Sequence, residues 1–344
     1  MIQLSTTSVE NYASSSDWKV RLSQSKMTCT ELLNYLGLES HPLANSSAEK
    51  LFELRVPRAY LEKIKKGDPN DPLLLQILPQ FKELLAAQGF TDNPLDEKKY
   101  NPVRGLFHKY SNRVLLIASS TCAINCRYCF RRTFPYDEHR QSLSDWQEAL
   151  DYIRDNKQLD EVIFSGGDPL IQSNQSLIYL LNEVDSIEHI TRIRIHTRML
   201  TSLPERLDVP LFEAFRDLNT PLVIVTHCNH PNELGRDLQP VFDKLRSINI
   251  TLLNQSVLLR NINDDTNTLC ELSKKLFELG IMPYYLFLLD KVSGAAHFEV
   301  PVPEATKLHQ KIQAQLPGYL VPRLSIEVPG ESSKTLIYYQ PEAN

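Results

Sequence analysis

The segment that decides the fold reads Cys122-Ala123-Ile124-Asn125-Cys126-Arg127-Tyr128-Cys129, and it closely follows the apolar run at 114–118. Its three cysteines have the spacing C-x3-C-x2-C. Three thiolates leave a [4Fe-4S] cluster with one iron open to a ligand from solution, whereas a cluster that only carries electrons is held by four cysteines. The spacing therefore favours a cluster that performs chemistry. The alternative is a structural zinc site completed by a histidine such as His108 or His139.

Short β-branched and aliphatic runs recur about every thirty residues after this point, with helical stretches between them. Strands that alternate with helices at this spacing predict βαβ units and a parallel sheet. Six such units predict an α/β fold, a (β/α)6 partial TIM barrel, with the cysteine loop after its first strand. The predicted strands are Val114–Ala118, Glu161–Ser165, Arg192–Thr197, Leu222–His227, Thr251–Ser256 and Pro283–Leu289.

The residues before the barrel carry amphipathic helical patterns and turn signals, without a convincing strand. Thr28 and Glu31 have the spacing of a capping box ahead of an apolar helix face. We therefore expect an α-helical N-terminal region at 1–100, a barrel at 101–300 and a C-terminal segment at 301–344.

The composition narrows the class of protein. Hydrophobic residues make up 42% and charged residues 23%, and the formal net charge of -5 argues against a nucleic-acid surface. Neither an apolar leader nor a stretch long enough to span a membrane is visible, so we expect a cytoplasmic protein. Because three of the six cysteines lie within eight residues, metal binding is favoured over disulfides. Cys29, Cys228 and Cys270 are isolated and are expected to be buried or incidental thiols.

Polar residues stand where each predicted strand ends, which is where barrel enzymes carry their chemistry. Each of them alone also suits a structural role: Gly-Gly-Asp-Pro is often a plain turn, and a histidine at a strand end is often part of the core. Their joint placement on one rim carries the functional interpretation. These residues are Gly166, Gly167, Asp168, His196, Arg198, His227, Gln255 and Asp290.

The cysteine motif resembles the signature of the radical S-adenosylmethionine (SAM) superfamily. In that superfamily SAM binds the open iron and is cleaved reductively to a 5'-deoxyadenosyl radical. Four further segments, from about residue 50 to the end, resemble the lysine 2,3-aminomutase family, and most closely its shorter bacterial branch, which makes β-lysine for elongation factor P. The segments are His108–Arg113, Cys129–Arg132, Tyr284–Asp290 and Glu327–Lys334.

The resemblance implies a role for each matching residue. The cluster ligands would be Cys122, Cys126 and Cys129. The SAM site would comprise Tyr128 beside the adenine, the segment Gly166, Gly167 and Asp168 at the methionine end, and also His227 and Gln255. Lys334 would bind pyridoxal 5'-phosphate (PLP), whose phosphate would contact Lys109, Tyr110 and Arg113. Arg131 would bind the substrate carboxylate, and Asp290 the distal amine. Glu327 would be a third substrate-binding residue, and it stands where clostridial-type enzymes have an aspartate.

The chemistry of the reaction agrees with this assignment. Moving nitrogen from Cα to Cβ requires breaking an unactivated C–H bond, which a carbon radical does well, and a π bond to nitrogen, which PLP supplies. A guanidinium suits a carboxylate, and a fixed carboxylate suits an ammonium group.

The expected function is therefore the conversion of (S)-α-lysine to (R)-β-lysine for elongation factor P and its lysyl-ligase, with an external electron donor and a possible homo-oligomer. An aminomutase of free lysine metabolism, or one acting on glutamate or arginine, is the first alternative. A zinc-stabilised binding protein is the second.

Overall fold

The centre of the molecule is one nine-stranded sheet whose spatial order follows the sequence. The computed structural model describes residues 17–39, 41–42, 44–134 and 143–339. Strands β2 to β8 are parallel, whereas the edge strands β1 and β9 run antiparallel to their neighbours. The strands are β1 Leu106–Tyr110, β2 Arg113–Ser119, β3 Glu161–Gly166, β4 Arg192–Thr197, β5 Leu222–His227, β6 Thr251–Val257, β7 Met282–Phe287, β8 Arg323–Ile326 and β9 Thr335–Leu336.

Each of the six crossovers between the parallel strands contains one longer helix, which confirms the predicted (β/α)6 partial barrel. The six predicted strands correspond to β2 to β7, whereas β1, β8 and β9 were not predicted. The crossover helices are α6 Leu143–Asp155, α7 Asn174–Asp185, α9 Val209–Arg216, α10 Gln239–Ser247, α11 Thr266–Glu278 and α12 Val302–Gln315. Short helices make up the rest: α1 Asp17–Ser23, α2 Cys29–Leu36, α3 Ser46–Leu51, α4 Arg58–Leu61, α5 Pro72–Leu75 and α8 Met199–Ser202. In the described part of the chain, no helix is both long and apolar enough to cross a membrane.

Alternation along the strands directs apolar side chains towards the helices and brings several polar side chains to the inside of the barrel. In β4, Ile193 and Ile195 join the main hydrophobic core between sheet and helices. Successive side chains of a strand point to opposite faces. Arg194 and His196 therefore face the inside of the barrel, which we call the lumen. The same rule directs His227 on β5 and Gln255 on β6 into the lumen.

The N-terminal helices form a separate core that packs against the cysteine loop. The predicted capping box is confirmed, because Thr28 and Glu31 bond each other's backbone at the start of α2. Ile124 of the cysteine loop is buried within the N-terminal core. Backbone bonds from Asn125 N to Arg55 O and from Arg127 N to Gln76 O complete the attachment. The N-terminal region thus holds the loop from outside the barrel.

Candidate active site

The cysteine loop follows β2 and lies against the glycine pair at the end of β3. Gly167 N donates to Ser119 O and Asp168 N to Thr121 O, both at 2.8 Å. A Cβ atom on Gly167 would lie 2.1 Å from Thr121 O, and one on Gly166 2.4 Å from Ser119 O. Gly166 also has a φ of +116°, which L side chains rarely adopt. Two glycines are therefore needed so that the backbone of the cysteine loop can lie against β3.

The three cysteines of the loop share one partly buried environment. Burial and the neighbouring cysteines raise the pKa of the Cys129 thiol to about 11 and that of Cys122 well above its ordinary value. These thiols must therefore lose their protons when the cysteines bind iron. All six cysteines are free thiols, and Cys29, Cys228 and Cys270 are buried as predicted.

The zinc alternative finds no support in the geometry. Among the residues that the structure describes, no three His, Cys, Asp or Glu side chains converge to hold one metal ion. A [4Fe-4S] cluster does not need that convergence, since each cysteine binds a different iron. His108 Nδ1 lies 2.7 Å from Tyr152 Oη. His139 lies outside the described residues.

A buried group of charged side chains attaches the cysteine loop to the N-terminal region. Arg127 binds the Glu83 carboxylate through Nε and Nη2, and Arg132 binds it through Nη2 at 2.5 Å. The Glu83 and Arg127 side chains are completely buried. Arg127 also donates to the carbonyl oxygens of Phe52 and Ala48. One acidic residue of the N-terminal region is therefore the counter-ion shared by an arginine of the cysteine motif and another that follows it.

Tyr128 and His227 meet beside the cysteines. Their rings stack at 5.7 Å between centroids, and Tyr128 Oη lies 2.9 Å from His227 Nε2. Burial, with the nearby Arg198, lowers the pKa of His227 to about 3, so the imidazole is neutral. Gln255 lies next to His227 in register, and its side chain has no hydrogen bond within the described chain. Two of the predicted SAM-site residues are therefore in contact, and a third is adjacent to them.

Asp168 is buried and already bonded within the protein. Its carboxylate accepts from Leu170 N, Thr197 Oγ1, Arg198 N and Met199 N at 2.8 to 3.0 Å. Burial raises its pKa, although these bonds act in the opposite direction. Asp168 thereby joins the end of β3 to the end of β4. The contact of Asp168 with the methionine end of SAM, which the resemblance implies, stays a prediction.

The Glu327 carboxylate contacts residues that are expected to bind PLP. Its carboxylate accepts from Lys334 Nζ at 2.8 Å, Lys109 Nζ at 2.5 Å and Tyr110 Oη at 2.7 Å. The Lys334 amine lies 4.9 Å from the centre of the Phe287 ring. Arg113 stacks on Tyr110 at 4.0 Å. The predicted PLP lysine and the three predicted phosphate contacts are thus brought together.

Arg131 is also in the lumen, but it is paired with an acidic residue that the sequence did not reveal. Its Nε and Nη2 bind the Glu97 carboxylate at 3.0 and 2.5 Å. Its Nη1 makes longer contacts, 3.4 Å to Ser165 Oγ and 3.3 Å to Gly166 O. The guanidinium is therefore firmly oriented, and its contact with a substrate stays a prediction.

Asp290 follows β7 and is the carboxylate in this group that lacks a hydrogen bond from any described residue. Burial, with the negative charge of Glu327, raises its pKa to about 7, although Lys334 and Arg131 act in the opposite direction. These mutual charge effects indicate that the four residues lie near one another. The Asp290 side chain is half-buried. A carboxylate partly removed from water and without a partner is costly, and a ligand cation would relieve that cost.

Two unsatisfied nitrogens fit a missing ligand. Arg198 Nε and His196 Nε2 are buried and have no hydrogen-bond partner within the described residues. Burial and the cations Arg194, Lys334 and Arg131 lower the pKa of His196 well below its ordinary value. Both residues lie at the end of β4. Arg198 contacts Cys126, and the charge of Lys334 acts on His196. The donor set therefore fits SAM beside the cysteines and PLP near Lys334.

Sequence reasoning missed the residues that support the site. They bind buried arginines and stand in no recognisable motif: Gln76, Glu83, Glu97 and Glu233. Arg127 and Arg132 were the available signal, because buried guanidinium groups need buried acceptors. The sequence does not show which acidic residues supply them.

Comparison with known proteins gives consistent matches. The sequence profile of the radical SAM superfamily matches residues 116–272. The chain is 46% identical over 327 residues to the L-lysine 2,3-aminomutase of Escherichia coli (strain K12), covering 94% of this chain and 95% of that protein. It is 47% identical to the L-lysine 2,3-aminomutase of Haemophilus influenzae, covering 89% and 90% respectively. It is 33% identical to that of Clostridium subterminale, covering 93% and 77%.

Proposed function

The chain belongs to the lysine 2,3-aminomutase family of the radical SAM superfamily, and on that basis we propose that it moves the α-amino group of L-lysine to the β carbon. The observation that carries this proposal is the unpartnered Asp290 carboxylate near Lys334 and Arg131, whose charges act on it. Together these residues offer an amine, a guanidinium and an unpaired anion. A dibasic amino acid complements that set, with its carboxylate at Arg131 and its distal ammonium at Asp290.

Each cofactor of this family has suitable residues. Cys122, Cys126 and Cys129 would hold the cluster, and Tyr128 with His227 would line the SAM site. Lys334 would hold PLP, with Lys109, Tyr110 and Arg113 at its phosphate. When bound, the cluster with SAM supplies the radical that removes hydrogen, and PLP supplies the π system through which nitrogen moves.

The lumen residues orient the substrate. A substrate carboxylate replaces the longer contacts of Arg131, those to Ser165 and Gly166, while Glu97 keeps the guanidinium in place. Asp290 fixes the distal ammonium at the far end. Glu327 releases Lys334 when that amine engages its cofactor, and retains Lys109 and Tyr110. Because both ends of the amino acid are fixed, its α and β carbons have a single position in the lumen.

We further propose that the product is (R)-β-lysine and that it serves elongation factor P and its lysyl-ligase. Support comes from the resemblance to the shorter bacterial branch of the family. The high identity to the Escherichia coli and Haemophilus influenzae proteins over nearly their whole length agrees with that placement. Glu327 is one methylene longer than the aspartate of clostridial-type enzymes, so this chain departs from them in the site itself.

The proposal is tested by anaerobic reconstitution with iron, sulfide, PLP, SAM and a reductant. Lysine should yield β-lysine, identified by chiral separation and mass spectrometry, whereas glutamate should not react because Asp290 repels its side chain. An absence of β-lysine while both cofactors and lysine are bound would refute the activity. Formation of the S isomer would refute only the stereochemical part.

A pair of variants tests whether Lys334 holds PLP. Lys334→Ala should lose the PLP absorbance. It should keep the iron-sulfur absorbance, which for such clusters lies at about 400 nm. The matched control is Lys307→Ala, at an exposed position on α12. If both variants retain the PLP spectrum, Lys334 does not hold the cofactor.

A further inference from the structure

Arg198, at the end of β4, connects the cysteine loop to the N-terminal region. Its Nη1 donates to Cys126 Sγ at 2.6 Å and to Tyr128 Oη at 2.8 Å. Its side chain is 6% exposed, so water screens its charge little. A guanidinium is permanently protonated in proteins. A fixed positive charge is therefore held against a sulfur that the motif assigns to the cluster.

The other end of the guanidinium is anchored away from the sulfur. Nη2 donates to Gln76 Oε1 at 2.8 Å, Glu233 Oε2 at 2.9 Å and Tyr60 Oη at 3.3 Å. Glu233 is buried and also accepts from Asn229 N and His230 N. Because Glu233 binds Nη2, it offsets the charge of Arg198 only from the side remote from Cys126. Two of the three anchors come from the N-terminal region.

We propose that Arg198 sets the reduction potential of the cluster through its charged hydrogen bond to Cys126, and that Gln76 and Tyr60 hold it in that position. Reduction adds an electron, and hence negative charge, to the cluster and its thiolates. A cation that donates to one of those sulfurs stabilises the reduced state more than the oxidised state. The cluster is consequently easier to reduce than it would be without Arg198.

This proposal gives the N-terminal region a function in the chemistry. The region carries none of the predicted ligands, yet it supplies Tyr60 and Gln76 to the arginine and Glu83 to the loop. The proposal depends on the cluster that the radical SAM superfamily implies and not on which amino acid is the substrate. A potential can be measured whether or not lysine is converted, so failure of one proposal is distinguishable from failure of the other.

The test is a redox titration, followed by electron paramagnetic resonance, of the full chain reconstituted anaerobically and without SAM. Arg198→Met should shift the midpoint potential to more negative values, and Arg198→Lys should shift it less, because the charge remains. Glu233→Gln should shift it in the opposite direction, because it removes the offsetting anion. General damage to the core would not shift the midpoint potential in opposite directions in Arg198→Met and Glu233→Gln.

Arg206→Met is the matched control. Arg206 is equally buried near the end of β4 and bonds Leu170 O, Gln172 O and Asn174 Oδ1 without touching a cysteine. Its variant should keep the wild-type potential. Equal potentials in wild type, Arg198→Met and Glu233→Gln at equal iron content would overturn the proposal. A shift seen only after SAM is added would also overturn it, since Arg198 would then act through SAM.

Discussion

Lys334 Nζ donates to Glu327 Oε2 at 2.8 Å, and the other oxygen of the same carboxylate accepts from Lys109 on β1. Glu327 directly follows β8, whereas β1 is the opposite edge of the sheet. The edge strands β1 and β9 do not pair with each other in the described structure. Glu327 therefore bridges the open seam of the barrel as well as holding the lysine expected to bind PLP.

Glu327→Gln should destabilise the apoprotein in a pH-dependent way. Although burial opposes it, Lys334, Lys109 and Tyr110 lower the pKa of Glu327 to about 2. A depressed carboxyl pKa contributes stability that is complete above its unfolded value near 4.5 and is lost as the pH falls towards 2. Urea unfolding at pH 7 should show a loss of roughly 2 to 3 kcal/mol. An equal loss at pH 7 and at pH 2 would show that the charge is not responsible.

Strands β2 to β7 of the barrel could be predicted because their signal is local. Each inner strand is a short apolar run between turn signals, and Glu161 to Ser165 or Leu222 to His227 can be recognised without knowledge of any partner. The edge strands lack that signal. β9 has two residues, and β1 ends in the polar sequence His108-Lys109-Tyr110. Their positions depend on pairing with β2 and β8, which the sequence does not encode locally.

The candidate site divides in the same way. Its cysteines, glycines and Lys334 lie in motifs with fixed spacing, so the sequence could name them. Arg131 and Glu97 are 34 residues apart and their pairing has no sequence signature. Asp168 carries a motif, but its bonds to Thr197 and Arg198 appear only when β3 and β4 are adjacent. The part of the site that could not be predicted from the sequence was the pairing of buried charged residues that are far apart in the chain.

Gly167→Ala should reduce cluster assembly. The added methyl group would lie 2.1 Å from Thr121 O, a backbone atom that cannot move without displacing the cysteine loop. Iron and sulfide per chain after reconstitution should fall to less than half of the wild-type content. Gly318→Ala is the control, because no heavy atom lies within 4 Å of its Cβ position. Wild-type iron content in Gly167→Ala would show that the close approach is not required.

Glu83→Ala should cost much more stability than the loss of an exposed acidic residue. The substitution leaves Arg127 and Arg132 buried without their counter-ion. Breaking a buried pair in this way typically costs about 3 to 5 kcal/mol. Urea unfolding at pH 7 measures the loss. Glu62→Ala, which removes an exposed partner of Arg58, should change the midpoint little. Similar midpoints for the two variants would contradict the role of Glu83.

Asp290→Asn should stabilise the apoprotein at neutral and higher pH. The pKa of Asp290 is raised from 3.8 to about 7, so the folded protein binds a proton that the unfolded chain has lost between these values. Stability from this group is therefore present at low pH and declines as the pH rises towards 7. The variant avoids that decline, and its advantage at pH 8 should reach up to about 4 kcal/mol. Thermal unfolding at pH 4 and pH 8 measures the difference.

The affinity for lysine should depend on the ionisation of the same carboxyl group. Below pH 7, binding an ammonium group at Asp290 requires the prior loss of the proton from that carboxyl group. The dissociation constant of lysine should rise about tenfold for each pH unit below the pKa.

Norleucine is the control ligand, because it lacks the distal amine but has the same other titratable groups as lysine. The ratio of the norleucine to the lysine dissociation constant should therefore be large at pH 8 and fall towards pH 5. In Asp290→Asn the ratio should be small and independent of pH. A pH-dependent ratio in that variant would assign recognition of the distal amine to another carboxylate, with Glu327 the nearest candidate.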